Sequence, residues 1–184
     1  MGEYSLLFPK ILLIYSQPSI LLSPYLYYRY TADILYYGYA QYNNKEFGIN
    51  EVKYYPDDKN GNFELSIGSI TIYVDDNSNT LKGKGLNVSL QMISNYGYKI
   101  VVGTYEFNST ANNRIIAGEA LINDHTEIIV PEPIEIISGN INIISYYYDS
   151  YSGRDIIELE YNFELINNEI ISGNYEGPLN IINR

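Results

Sequence analysis

From residue 46 onward the chain alternates apolar and polar side chains. The pattern is clearest over 155–166, where Ile157, Leu159, Tyr161, Phe163 and Leu165 fall on one side of an extended chain. Glu158, Glu160, Asn162 and Glu164 fall on the other. Successive side chains of a strand point to opposite faces, so the spacing predicts a half-buried strand. Residues 86–92 repeat it, with Leu86, Val88, Leu90 and Met92 inward and Asn87, Ser89 and Gln91 outward. Over 62–74 the alternation switches face near Gly68, which predicts a bulge. Segments 97–107, 113–123, 126–137 and 140–148 are apolar on both faces, as for strands at the centre of a sandwich or beneath another subunit. Turn-forming clusters at 57–61, 75–79, 95–97, 109–113, Ser138-Gly139-Asn140 and 150–153 separate these runs. Roughly nine or ten short strands at such spacing predict an all-β fold, a jelly-roll-like β-sandwich.

The N-terminal quarter reads differently. Ile11 to Tyr28 carries no charge, but Pro18, Pro24 and several serines argue against a membrane-spanning helix. Only Glu3 precedes Lys10, so the basic start of a secretory signal is missing. Residues 1–24 are read as an N-terminal arm and 25–184 as the β-sandwich domain. Between Tyr25 and Tyr42 a helical spacing and a strand alternation both fit, and the strand preference of tyrosine favours strands. The hexapeptide Glu-Ile-Ile-Ser-Gly-Asn occurs at 135–140 and again at 169–174, a spacing explained by two hairpins with the same turn chemistry.

Composition sharpens the picture. A chain of 184 residues fits one domain, or one domain with an arm. Its 22 tyrosines and abundant isoleucine suit strands. With no cysteine, disulfides and thiolate metal sites are excluded, and the single histidine, His125, excludes any site needing two imidazoles. The formal charge of -11 speaks against direct nucleic-acid contact. A polar surface built on Asn, Ser, Thr and tyrosine hydroxyls changes little when carboxylates protonate. Together with absent Cys and scarce Gln and Met, it points to a hot, acidic setting.

Candidate chemistry is sparse. Glu158 and Glu160 would lie about 7 Å apart on one strand face, the sharpest enzymatic pairing in the chain. The aromatic and acidic surroundings of a glycosidase site are missing, so a solvated strand face is the simpler reading. Asp58, Asn60 and Asn62 have the oxygen spacing of a calcium loop, but Phe63 stands where glycine is required. Asp124 and His125, as neighbours, would point apart on a strand. Asn87-Val88-Ser89 and Asn108-Ser109-Thr110 are glycosylation sequons. No catalytic set, cofactor site or metal site emerges, and the chain reads as a non-enzyme. Tyrosine supplies large contact area at low entropy cost. Tyr25, Tyr27, Tyr28, Tyr30, Tyr36, Tyr37, Tyr39, Tyr146, Tyr147, Tyr148 and Tyr151 are therefore the candidate interface.

An uncharged tyrosine-rich arm, an all-β body with two-faced strands and an acidic remainder resemble the single jelly-roll capsid and virion proteins of double-stranded DNA viruses infecting hyperthermophilic acidophilic archaea. The resemblance covers roughly residues 25–182 and rests on composition and strand pattern. It implies a self-assembling shell subunit located in the virion, with copies of itself and other structural proteins as partners. It implies no direct contact with the genome. Two alternatives compete: a secreted surface-fibre subunit joined by strand donation at the cell surface, and a carbohydrate-binding β-sandwich module. Membrane contact through the arm is the weaker reading of residues 1–24.

Overall fold

A computed structural model describes residues 37–57, 59–69, 72–75, 80–124, 127–129 and 132–183. The proposed arm, and with it Tyr25, Tyr27, Tyr28, Tyr30 and Tyr36, lies outside the described residues. The described residues form strands and no helix. In chain order the strands are β1 (Gly38–Tyr42), β2 (Lys45–Ile49), β3 (Glu51–Asp57), β4 (Asn62–Gly68), β5 (Tyr73–Asp75), β6 (Thr80–Lys82) and β7 (Gly85–Ile93). They continue with β8 (Gly103–Phe107), β9 (Arg114–Asn123), β10 (Glu127–Ile129), β11 (Ile134–Asp149), β12 (Arg154–Leu165) and β13 (Ile170–Ile181).

Ten strands form one mixed sheet in the order β12-β11-β8-β9-β7-β4-β3-β13-β1-β2, and β10-β6-β5 form a small second sheet. The large ladder closes on itself. β13 pairs antiparallel with β12 over Ile170–Pro178, and its last residues Leu179–Ile181 run parallel to Val52–Tyr54 of β3. β9 in turn meets β11 through Ala120–Ile134 and Glu119–Glu135. The result is an all-β, sandwich-like body. β2, β1, β13, β12 and β11 lie over β3, β4, β7 and β9, and β2 touches β4 and β7 across the core. The parallel pairings of β13 with β3 and of β8 with β9 are where the ladder departs from a purely antiparallel jelly roll.

Alternation decides which side chains fill the space between the layers. On β12, Ile157, Leu159, Tyr161, Phe163 and Leu165 are all buried; β4 and β7 contribute Phe63, Leu65, Ile67, Leu86, Val88, Leu90 and Met92. Each such side chain contributes about 1.5–3 kcal/mol by leaving water. Aromatic rings link the layers edge to face. Phe63 of β4 meets Tyr105 of β8 with centroids 6.1 Å apart, and Phe107 of β8 meets Phe163 of β12 at 6.2 Å.

Several sequence expectations are corrected here. Ser138-Gly139-Asn140 is not a turn: 134–149 is one strand, kinked by register shifts at Ile136/Ser138 and Ile143/Ser145. Gly139 makes this feasible, because its φ of +117° and a Cβ position only 2.1 Å from the Asn162 carbonyl oxygen leave no room for a side chain. The face switch near Gly68 is the end of β4 rather than a bulge. Only Gly103–Phe107 of 97–107 is strand, because Ser94 and Gly97 bond to each other and turn the chain. Of 126–137, Glu127–Ile129 forms the short β10 and 134–137 open β11.

Candidate functional site

β11 and β12 form the longest hairpin, and its tip carries the exposed tyrosines. The turn is held by Asp149, whose carboxylate accepts from the Tyr151 and Ser152 amides at 3.0 and 3.1 Å. The Ser152 side chain first, then the Tyr151 and Ser152 amides, hold its carboxyl below the usual range. The Asp149 carbonyl accepts from the Gly153 amide at 2.8 Å, and Gly153 takes the left-handed conformation (φ +70°) that closes the turn. The second bulge of β11 lets Tyr146 pair with Ile157, Tyr147 with Ile156 and Tyr148 with Asp155. Tyr146 donates to Asp155 at 3.2 Å, and burial followed by the Asp155 charge pushes its phenol up. Tyr147, Tyr148 and Tyr151 stand in solvent, 53%, 64% and 99% exposed.

Tyr37 and Tyr39 belong to the body. The Tyr37 amide donates to the Ile49 carbonyl at 2.8 Å, its carbonyl accepts from the Glu176 amide at 3.1 Å, and its ring meets Tyr175 edge to face. Tyr39 is partly buried on β1, opposite Asn174. The fold brings Tyr37 and Tyr147, 110 positions apart in the chain, to one depression of about 430 Å³ that Ile156, Arg154, Glu176 and Pro178 also line.

The carboxylates are arranged differently from the sequence pairing. Glu158 and Glu160 do share the outer face of β12, but the residue directly across from Glu158 is Glu176 of β13. Directly paired residues have Cβ atoms about 4.5–5.5 Å apart, closer than neighbours along one strand. Burial, and then the Glu158 charge, push the Glu176 carboxyl above its ordinary value. Ser145 donates to Glu158 at 3.3 Å, and the Asn142 amide donates to Glu160 at 3.2 Å. Sequence reasoning missed Glu176 because only the register of two strands places it there.

Of the sequons, Asn108 sits exposed in the loop after β8 with φ +55°. Asn87 lies mid-strand in β7, partly buried, its carboxamide oxygen accepting from Ser66 at 3.0 Å. In the 57–61 turn, Asn60 donates from its amide and side chain to Asp57, and those bonds hold the Asp57 carboxyl low. Asp58 and His125 lie outside the described residues. Among the described residues no three His, Cys, Asp or Glu side chains gather as a metal site would require. Compared with protein-family models, curated proteins and solved structures, the chain matches none.

Proposed function

We propose that the chain is a structural, self-assembling protein of a virion shell, whose copies meet through the tyrosine tip of the β11–β12 hairpin. The observation that carries this reading is the exposure of Tyr147, Tyr148 and Tyr151 at the end of a hairpin whose turn is held by its own hydrogen bonds. Three large rings in water on a braced support are costly unless another surface covers them, and tyrosine is the residue enriched where proteins meet. A second copy is the occupant, because the resemblance to shell subunits supplies partners of the same kind. The fibre alternative needs an open sheet edge. β2, the outer strand beyond β1, is five residues long and begins with exposed Lys45 and Glu46, features that discourage strand addition.

Sedimentation velocity of the full chain tests the proposal. Wild type is expected to run as an assembly, and the triple variant Tyr147→Ser, Tyr148→Ser, Tyr151→Ser as a folded monomer with unchanged circular dichroism. A wild-type chain that stays monomeric at high concentration, near pH 3 and near pH 7, overturns it.

A further inference from the structure

The outer face of the β1-β13-β12-β11 layer carries a second feature, separate from the hairpin tip. The strand registers set Gln41, Ser172, Asn162 and Asn140 side by side across four strands. One step along, Tyr39, Asn174, Glu160 and Asn142 form a parallel row. Adjacent strands lie about 4.8 Å apart and same-face residues about 7 Å apart along a strand, so the two rows tile a compact patch. Most of these side chains line one open cleft of about 450 Å³, within the size range of small-molecule sites.

Gln41, Asn140, Asn162 and Glu160 of these rows are exposed. Asn and Gln at adjoining ladder positions can bond to one another, yet among the described residues the side chains of Gln41, Ser172, Asn162 and Asn140 have no protein hydrogen-bond partner and stay open to solvent. In the second row the Asn174 carboxamide oxygen is buried and has no partner either. Asn142 is tied to Glu160 and Thr104, which fixes that end and leaves the second Glu160 oxygen as an acceptor. Glu46 and Glu106 flank the first row, and among the described residues no Lys or Arg lines the cleft. The charges of Glu160, Glu46 and Glu106 disfavour an anionic ligand there. An apolar one would find the ring of Tyr39 at the margin and little of the buried Tyr161 beneath.

We infer that this cleft binds a neutral saccharide. Carboxamides donate and accept in pairs, as vicinal hydroxyls do, the carboxylate accepts hydroxyl protons, and a tyrosine ring at the margin offers a face to a sugar ring. The site is independent of assembly through the hairpin tip. It is tested by titrating the ¹⁵N-labelled full chain and the triple tyrosine variant with maltohexaose, cellohexaose and mannohexaose, with inorganic polyphosphate as the anionic comparison. At least one neutral oligosaccharide is expected to shift the side-chain amide signals of Gln41, Asn140, Asn162 and Asn174, in the triple variant as in wild type. Asn162→Ala and, separately, Gln41→Ala should each weaken binding about fivefold to tenfold with the melting temperature unchanged, as loss of one paired hydrogen-bonding group does. Absence of binding to all three sugars by folded protein, binding that both variants leave intact, or a preference for polyphosphate overturns the inference.

Discussion

At the residue scale the outward carboxylates of β12 and β13 respond to pH in a way their spacing in the chain does not reveal. Glu176 has a folded pKa above its unfolded value, from burial first and Glu158 second. The native state therefore holds a proton that the unfolded chain releases in the window between the two values. The stability this supplies is complete below the unfolded pKa, near 4.3, and is lost as pH rises through the raised folded pKa. Glu176→Gln should raise the melting temperature near pH 7 by about 1–2 °C and leave it unchanged near pH 3, a small effect because water screens the pair. Thermal scans at the two pH values check this. Glu169 has the opposite sign. Tyr42, Asn43 and Asn167 donate to it and hold its carboxyl low, so the stability it brings is present above its unfolded pKa and fades as pH falls through the folded value. In doing so it ties the β1–β2 turn, where Asn43 and Asn44 both have positive φ, to the β12–β13 turn.

At the scale of elements, the repeated Glu-Ile-Ile-Ser-Gly-Asn shows what the sequence could convey and what it could not. Alternation alone located β12 and β7, because each has one wet and one dry face. Ser-Gly-Asn is turn chemistry and suggests two hairpin turns, yet in both copies it lies within a strand flanking β12, with Asn140 and Ser172 each paired to Asn162. The same six residues even bury different isoleucines. Ile136 is buried and Ile137 exposed on β11, whereas Ile170 is exposed and Ile171 buried on β13. The bulge at Ile136/Ser138 causes the difference, and a bulge is set by pairing partners rather than by local composition. The amide cleft was illegible for the same reason, since its rows depend on the register of three successive strands and on their pairing with the distant β1. The hairpin tyrosines were legible, because Tyr146, Tyr147 and Tyr148 are consecutive and Tyr151 follows within the same turn. Gly173 tests the close approach: a Cβ there would sit 2.3 Å from the Tyr39 carbonyl oxygen and 2.6 Å from the Tyr161 hydroxyl. Gly173→Ala should cost about 1–3 kcal/mol, read from urea unfolding, with the first loss of amide protection in β1.

At the scale of the whole molecule, most pairings join distant parts of the chain. β13 alone contacts β12, β1 and β3. Such topology makes folding slow, because the chain must close long loops before any contact rewards it. Refolding from urea should take milliseconds to seconds or longer, with intrinsic tyrosine fluorescence of β1 and β13 recovering together rather than in stages. Stopped-flow traces in which Tyr37→Phe and Tyr175→Phe variants lose separate kinetic phases would contradict that order. The closed ladder also bears on synthesis. β13 is made after every strand it joins, so until it emerges from the ribosome β12, β1 and β3 each present an unpaired edge. The nascent chain is thus open to strand pairing with its neighbours on the same message for as long as β13 is still to come, and it is β13 that then covers those three edges.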